Sequence, residues 1–305
     1  MTVTVTDFSV KSSDNIHTLK GKVYLPEGRP KGHFQIVHGM TEHIKRYDEF
    51  MQKMASNGYI CFGFDNLGHG NTARDDAELG FIAEKDGYKY MVLDVIEFYR
   101  AVKDKYPADK YILMGHSMGS FIVRLVAEQF GDLIDSLIIC GTAGPNPAAI
   151  PGLLIATIIE KLKGGRYCSK LVDTLAFGAY NRRFEGLSKY DWLTNDRNII
   201  EIYENDKFCT FKFTISAMRD LLKLIIFCNR KKWFAKINKD LPILLISGDM
   251  DPVGSYGKGV TKVFKALRTS GCKDVNLYLY ENCRHEILND TCKDEVLNDI
   301  LDFLK

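Results

Sequence analysis

The stretch YILMGHSMGS, residues 111–120, decides the fold because it joins two kinds of secondary structure through a very short turn. An apolar run typical of a buried strand leads into GHSMG, and the following segment FIVRLVAEQF has the apolar spacing of a helix. A serine between two glycines at a strand-to-helix turn is typical of a nucleophile elbow, in which the tight turn tolerates only small neighbours. Such a turn presents the oxygen of Ser117 at the carboxyl end of a sheet, where ligands bind in α/β folds.

Strands and helices alternate on both sides of this turn. Apolar runs at 33–39, 59–65 and 133–142 are typical of buried strands, and the spacing of apolar residues predicts a helix over 86–107. The first residues, MTVTVTDFSV, alternate apolar and polar side chains, as an edge strand does. This order predicts an α/β fold with a mostly parallel central sheet and helices on both of its faces.

The alternation stops at residues 144–152, which contain three prolines and two glycines, and it resumes with the strand pattern at 241–249. We therefore expect residues 1–144 and 238–305 to form one core domain and residues 145–237 to form an inserted, mainly helical cap, or lid. Near its start, IPGLLIATIIEKLKGGR has an apolar body and a basic tail. This pattern fits either a helix that contacts a membrane surface or the cap's own core helix.

Composition excludes several classes of function. The 305 residues carry 41 Lys and Arg against 39 Asp and Glu, a net charge of +2, which indicates no nucleic-acid partner. The amino terminus lacks the pattern of a signal peptide, and the longest apolar runs are too short to span a bilayer. The eight cysteines contain no CxxC pair. We therefore expect reduced thiols in a cytoplasmic protein, with no metal site and no cofactor.

A serine hydroxyl needs a base within hydrogen-bond reach and an acid that orients the base. In this fold the acid and then the histidine follow the serine along the chain. His285 is the single histidine after Ser117, which makes it the candidate base. Asp249 and Asp251, in SGDMDPVG, both follow a predicted strand, and their spacing leaves the choice of acid open. We prefer Asp251 because a following proline favours an extended backbone.

The negative charge that develops on a substrate oxygen requires two backbone N–H donors. One is expected from Met118, directly after the nucleophile, and the other from the loop that follows the strand at 33–39. We choose Met40 in that loop, because Gly39 allows the backbone to turn there without a side-chain clash.

Five motifs stand in an order that resembles a known family: HGMTEH at 38–43, DNLGHGNT at 65–72, GHSMG, GDMD at 248–251, and His285. The chain resembles, over essentially its whole length, the monoacylglycerol lipase and lysophospholipase group of α/β-hydrolases, which overlaps the serine aminopeptidase-like group. HGxxEH is the motif most specific to this group. The resemblance implies an α/β-hydrolase fold, Asp251 as the acid, Met40 and Met118 as oxyanion donors, and metal-free hydrolysis through an acyl-enzyme.

The other motif residues are expected to surround the site, either by organising its loops or by packing behind it. They are His38, Gly39, Glu42, His43, Asp65, His69 and His116.

The leading hypothesis is a serine esterase that cleaves a single-acyl lipid, such as monoacylglycerol or lysophospholipid, or a similar small ester. A general short-chain carboxylesterase and an acyltransferase would use the same residues. An aminopeptidase would additionally need an acidic pair in the cap to hold an ammonium group. The acidic residues available there are Glu185, Asp191, Asp196, Glu201 and Glu204. A hydrolase-fold binding protein is the non-catalytic alternative, although a receptor has no need of a complete triad.

Overall fold

A computed structural model describes residues 2–305 and contains eight strands over this range. The strands are β1 Thr4–Lys11, β2 Thr18–Leu25, β3 Gly32–Val37, β4 Tyr59–Phe64, β5 Tyr111–His116, β6 Ser136–Cys140, β7 Ile243–Gly248 and β8 Val275–Tyr280. They form a single sheet in the order β1-β2-β4-β3-β5-β6-β7-β8. Strand β1 lies at one edge, as the alternation at the amino terminus predicted.

The sheet is parallel except at that edge. Strand β2 runs antiparallel to both β1 and β4, whereas the pairs from β4 to β8 are parallel. The β1–β2 turn is stabilised by Asp14, whose carboxylate accepts the N–H groups of Ile16 and His17 at 2.8 and 2.9 Å. Parallel strands end at the same edge of a sheet, so the loops that follow β3, β5, β7 and β8 meet there.

The described residues contain ten α-helices. They are α1 Asp48–Ser56, α2 Gly87–Lys105, α3 Met118–Phe130, α4 Ala149–Lys163, α5 Lys170–Phe177, α6 Arg197–Asn205, α7 Ile215–Cys228, α8 Lys231–Lys236, α9 Lys258–Thr269 and α10 Lys293–Phe303. None of them, over residues 2–305, combines the length and the apolar character needed to cross a bilayer.

Side chains of the central strands point alternately into two cores, one on each face of the sheet. In β5, Tyr111 and Leu113 belong to the core that contains α2 and α3, whereas Ile112 and Met114 belong to the core that contains α1 and α10. All six residues of β5 are buried. Burial on both faces explains why its sequence is a continuous apolar run rather than an alternating one.

The segment between β6 and β7 contributes α4 to α8 and no strand. We refer to residues 145–237 as the cap segment. Its long helix α7 packs against both α4 and α3. The buried Arg124 of α3 holds the end of this helix, because its guanidinium donates to the Cys228 carbonyl and to Asn229 Oδ1, the latter at 3.1 Å. The helix that follows the nucleophile is thereby joined to the cap segment.

Two of the eight cysteines form a disulfide, so the expectation that all are reduced thiols is wrong for this pair. Cys283 and Cys292 are bonded with their Cα atoms 6.6 Å apart, across the loop between β8 and α10. Their separation of nine residues gave no sign of contact, because a loop brings them together rather than a CxxC turn. The other cysteines are free thiols: Cys61, Cys140, Cys168, Cys209, Cys228 and Cys272.

Candidate active site

Ser117 occupies the turn between β5 and α3 with a backbone φ of 53° and ψ of −120°. A positive φ is uncommon for a residue with a side chain and is found where the surrounding structure enforces it. Here the neighbouring strand contributes, since the N–H of Ser117 donates to the Cys140 carbonyl of β6 at 3.0 Å. The side chain is partly exposed, whereas its neighbours His116 and Met118 are buried.

The two glycines of GHSMG allow backbone segments to approach each other closely. A Cβ atom on Gly119 would lie 2.0 Å from the Val37 carbonyl oxygen of β3, and one on Gly115 would lie 2.3 Å from the Gly119 carbonyl oxygen. Neither position has room for a side chain. The requirement for glycine therefore comes from the crossing of α3 over β5 and β3, as the elbow pattern predicts.

The loops after β7 and β8 bring Asp251 and His285 together. Oδ2 of Asp251 lies 3.0 Å from Nδ1 of His285, and both side chains are buried. The other oxygen of Asp251 accepts the N–H of Val253 at 2.8 Å, which fixes the carboxylate. Of the two aspartates that the sequence left open, Asp251 rather than Asp249 is the one whose carboxylate meets the histidine.

The loop after β3 lies directly beside the nucleophile. A Cβ atom on Gly39 would be 2.8 Å from Cβ of Ser117, so the backbone that leads into Met40 passes next to the serine. Met118, the first residue of α3, directly follows Ser117 in the chain. Both chosen N–H donors are therefore in segments that adjoin the serine, and the first turn of α3 adds the positive end of a helix dipole there.

A buried acid–histidine pair lies behind this loop. Glu42 Oε1 accepts hydrogen bonds from the N–H of Gly39, from the Tyr47 hydroxyl at 3.0 Å and from Nδ1 of His116 at 3.1 Å. Nε2 of His116 faces the His285 carbonyl at 3.2 Å. Both ring nitrogens of His116 thus face acceptors, as they do in a protonated imidazole.

The two groups shift each other's pKa. Burial alone would raise the pKa of Glu42, but the hydrogen bond and charge of His116, with the charge of Arg46, outweigh burial and lower that pKa. Burial alone would lower the pKa of His116, and the Glu42 carboxylate raises it above its usual value. The pair is therefore stable in its charged form.

The remaining histidines of the motifs have different surroundings. His38 donates from Nδ1 to the Gly39 carbonyl at 2.8 Å and accepts the N–H of Asn66 at Nε2, and burial lowers its pKa. Burial likewise lowers the pKa of His69 to about 3, and its Nδ1 lies 2.9 Å from the Leu67 carbonyl. Both are neutral side chains that hold loop backbone.

Asp65 and His43 connect separate parts of the chain. The carboxylate of Asp65 accepts the N–H of Ile44 at 2.8 Å and that of Asn71 at 2.7 Å, which ties together the loops after β3 and β4. Nε2 of His43 lies 2.8 Å from Oδ2 of Asp206, a residue of the cap segment.

Several contacts around the site were not predicted from the sequence. Arg46 forms two hydrogen bonds with the carboxylate of Glu286, at 2.5 and 2.6 Å. The ring of Trp192 lies 5.1 Å from that of His285, and the Trp192 carbonyl accepts the His285 N–H at 3.4 Å. Glu286 directly follows His285, and Arg46 lies three residues after the HGMTEH motif, so both could have been suspected as charges next to the site. No local sequence pattern predicts the contact between Trp192 and His285, because the two residues are far apart in the sequence.

One group of side chains has donors of the kind that bind a metal ion. Nε2 of His43, a carboxylate oxygen of Asp206 and Sγ of Cys209 lie within 4.8 Å of one another. The positive charge of Arg46 acts on both Cys209 and Asp206, which opposes a cation at this position. His43 and Asp206 already bind each other, so we assign this group to the contact between the cap segment and the loop after β3.

Comparison with known proteins places this geometry in a family. The sequence pattern of the family described as "Serine aminopeptidase, S33" matches residues 28–292. A solved structure of a highly thermostable carboxyl esterase from Bacillus coagulans, in complex with glycerol, superposes with a TM-score of 0.92 and 31% identity. The superposition covers 99% of this chain and 98% of the esterase.

Two similar curated proteins are named for the hydrolysis of monoglycerides. A monoglyceride lipase homolog of Monkeypox virus is 26% identical over 276 residues, which is 88% of this chain and 87% of that protein. The monoglyceride lipase of Mus musculus is 22% identical over 268 residues, which is 87% of this chain and 78% of that protein. The α/β-hydrolase fold, the family resemblance and the assignment as a carboxylic ester hydrolase are thus confirmed, and the chain belongs to the serine aminopeptidase S33 family of α/β-hydrolases.

Proposed function

We propose that this enzyme cleaves single-acyl lipids, monoacylglycerol or lysophospholipid, with Ser117, His285 and Asp251 as its catalytic triad. The observation that carries the proposal is the position of Ser117. It sits at the strained turn after β5, next to the loop of Met40. The ring of His116, the residue before it, lies 4.7 Å from the ring of His285, which is paired with Asp251. This arrangement supplies a nucleophile, a base with its orienting acid, and two backbone donors.

In the first half of the reaction, His285 takes the proton of Ser117 as the serine oxygen attacks the ester carbonyl carbon. Asp251, 3.0 Å from Nδ1, fixes the ring and stabilises its cationic form. The N–H groups of Met40 and Met118 stabilise the negative charge that develops on the carbonyl oxygen, a contribution of about 3 kcal/mol for each donor. His285 then passes the proton to the leaving alcohol, which leaves an acyl group on Ser117.

In the second half, water replaces the alcohol. His285 removes a proton from this water as its oxygen attacks the acyl carbonyl, and the same two N–H groups bind the new oxyanion. The fatty acid departs when His285 returns the proton to Ser117. The cycle restores every group of the site to its starting state.

The cap segment, residues 145–237, forms the cover of the acyl pocket in this proposal. A row of aromatic rings runs from it to the catalytic histidine: Phe177 and Tyr180 have centroids 5.7 Å apart, Tyr180 and Trp192 are 5.1 Å apart, and Trp192 and His285 are 5.1 Å apart. Partly buried aromatic rings that lead to the catalytic histidine suit a lipid chain better than a polar group.

Helix α4 supports a lipid substrate and contact with a membrane surface. Ile150, Leu154, Ile158 and Leu162 recur every four residues along one side of the helix and are 66%, 63%, 49% and 75% exposed. The buried residues of α4 are Ala149 and Ala156, so the apolar side is not part of a core. An exposed apolar row with Lys161 and Lys163 at the end of the helix is typical of a helix that lies in a lipid interface.

The names of the similar proteins point the same way, since one is a monoglyceride lipase, another is a monoglyceride lipase homolog, and the esterase structure contains glycerol. We also propose that the enzyme works in the cytoplasm, because six of its eight cysteines are free thiols.

An aminopeptidase is the second candidate because of the family's name. It would need an acidic side chain free to hold a substrate ammonium group. Glu185 instead pairs with Arg284 at 3.0 Å, and Asp191 pairs with Arg197 at 2.5 Å. Asp191 also accepts two backbone N–H groups, from Leu187 and Ser188. These contacts favour the lipid esterase.

The test compares hydrolysis of p-nitrophenyl esters from acetate to palmitate, with Ser117→Ala as the blank. We expect a maximum at medium or long chains and a loss of at least about 1,000-fold in kcat for the variant, which stays folded. Release of glycerol from monoacylglycerol and of glycerophosphocholine from lysophosphatidylcholine then identifies the headgroup. A maximum at acetate would indicate a short-chain carboxylesterase, and cleavage of aminoacyl-anilides without ester cleavage would indicate the peptidase.

A further inference from the structure

The loop that carries Met40 has a strained backbone, which contacts with other parts of the protein stabilise. Thr41, the next residue, has a φ of 50°, in the left-handed region that a β-branched residue rarely occupies. Within the core domain, the carboxylate of Glu42 accepts the N–H of Gly39. The hydroxyl of Thr41 donates to the Met40 carbonyl at 2.8 Å, so Met40 and Thr41 form one locally bonded unit. Any group that holds Thr41 therefore also holds the peptide between Met40 and Thr41, which adjoins the Met40 N–H.

The cap segment also forms hydrogen bonds with this loop. The Tyr203 hydroxyl of α6 donates to the Thr41 carbonyl at 2.8 Å and lies 3.0 Å from the Thr41 hydroxyl. Tyr203 is 4% exposed, and burial raises the pKa of its hydroxyl well above the usual value. The phenol thus keeps its proton, and with it the ability to donate, at neutral pH.

The ring of Tyr203 has a second contact with the catalytic loops. The guanidinium of Arg46 lies 4.8 Å from the centre of this ring and is bonded to Glu286, the residue after His285. The Glu286 N–H donates to the Leu193 carbonyl of the cap segment at 2.7 Å. One part of the cap segment therefore contacts both the loop of Met40 and the loop of His285.

We propose that Tyr203 is a positioning residue: through Thr41 it aligns the Met40 N–H with the oxyanion of the reaction. The inference rests on the proposed function, in which Met40 is an oxyanion donor. It makes oxyanion stabilisation depend on a residue of the cap segment. A backbone donor works only when it is fixed near 3 Å from the oxyanion, and loss of such a donor lowers kcat about 100- to 1,000-fold. Loss of its support should lower kcat roughly 10- to 100-fold.

Tyr203→Phe removes the hydroxyl and leaves the ring on Arg46. We expect kcat to fall by roughly 10- to 100-fold and KM to change by less than about twofold, because the contact acts on the transition state. The inhibition constant of a trifluoromethyl ketone should rise by the same factor as kcat falls, since its serine adduct places an oxyanion in the same position. The pH profile of kcat/KM should stay unchanged, because His285 keeps its surroundings.

Tyr190→Phe is the matched control. Its ring lies 4.7 Å from that of Tyr203, so the variant makes the same chemical change next to the same cluster without altering the hydrogen bond to Thr41. We expect wild-type kcat and wild-type ketone affinity. A kcat for Tyr203→Phe within twofold of wild type would overturn the proposal. So would a lower kcat with unchanged ketone affinity, because the hydroxyl would then act on another step.

Labelling with a fluorophosphonate tests the proposal independently of the substrate. The reagent phosphonylates Ser117 with loss of fluoride, and its phosphoryl oxygen occupies the position of the oxyanion. We expect the labelling rate of Tyr203→Phe to fall roughly 10- to 100-fold and that of Tyr190→Phe to equal wild type. If wild type reacts at Ser117 but cleaves no ester, the proposed function fails, and the labelling comparison still decides the role of Tyr203.

Discussion

Glu42 joins the loop of Met40 to the strand that carries Ser117. Its carboxylate accepts from the Gly39 N–H, the Tyr47 hydroxyl and the His116 ring, and the other nitrogen of that ring faces the His285 carbonyl. Glu42 lies in HGxxEH, the motif most specific to the group that the sequence resembles. The geometry explains why Glu42 and His116 occur together. Both side chains are buried, and each provides the counter-charge of the other.

Glu42→Gln should destabilise the protein by about 3 kcal/mol, since it leaves His116 without its counter-charge. The stability from a lowered carboxyl pKa is present above the unfolded value and is lost as the pH falls through the folded pKa. The stability from a raised histidine pKa is present below about 6.5 and is lost as the pH rises through the folded pKa. The difference in the free energy of unfolding between wild type and Glu42→Gln should therefore be larger at pH 6 than at pH 9.

Urea unfolding at the two pH values measures this difference. NMR titration of the His116 ring measures its cause, because the pKa of His116 should fall in Glu42→Gln once the carboxylate is gone. An equal loss of stability at both pH values, with an unchanged titration of His116, would show that the two groups do not form a charged pair.

At the scale of the elements, the turn between β5 and α3 depends on how closely the helix crosses the sheet. Gly119→Ala places a Cβ 2.0 Å from a backbone oxygen of β3, and backbone cannot move aside as a side chain can. We expect a loss of at least about 3 kcal/mol in the free energy of unfolding, or no folded protein.

Gly131→Ala is the control at the other end of the same helix. Its φ is −57°, and the nearest atom to an added Cβ is 3.8 Å away. We expect a change within about 1 kcal/mol, with a tendency to stabilise. Thermal unfolding of both variants checks the comparison, and a Gly119→Ala protein as stable as wild type would contradict the elbow geometry.

The elements that the sequence predicted well are those whose signals are local. The apolar run of β5 and the glycines around Ser117 are patterns of a few neighbouring residues. The strand, the turn and the helix can therefore be predicted from the local sequence. The choice between Asp249 and Asp251 depended on the direction of one loop. The structure places the carboxylate of Asp251, the residue before the proline, 3.0 Å from Nδ1 of His285.

The elements that the sequence did not predict depend on contacts between distant segments. Tyr203 and Thr41 are 162 residues apart, and Cys283 and Cys292 meet because of the path of a loop. No periodicity encodes such contacts. They arise where the cap segment and the catalytic loops are brought together by the whole fold, and only a three-dimensional structure reports them.

At the scale of the whole molecule, the exposed apolar surface is concentrated in the cap segment. The sequence could not decide whether α4 is a core helix or an interfacial one, because both have an apolar side. Burial depends on the neighbours, and α4 packs against α7 and α5 while its row from Ile150 to Leu162 stays open. With a net charge of +2, the protein has no strong overall attraction to anionic membranes, so the membrane contact that we propose depends on this row.

The double variant Leu154→Ser and Leu162→Ser should therefore weaken binding to lipid vesicles. These side chains are 63% and 75% exposed, so the substitutions should cost little stability, whereas insertion of two leucines into a lipid interface contributes about 3 kcal/mol. We expect roughly 10- to 100-fold weaker binding to phosphatidylcholine vesicles in a sedimentation assay, and a similar loss of activity on monoacylglycerol presented in them. Activity on soluble p-nitrophenyl butyrate should be unchanged, because α4 lies outside the chemistry of the site.

Ile16→Ser is the control, since Ile16 is 67% exposed in the β1–β2 turn and should not alter vesicle binding. Equal vesicle binding by the double variant and wild type would show that the row on α4 is not the membrane contact, and equal losses in both variants would show that any exposed apolar side chain contributes alike.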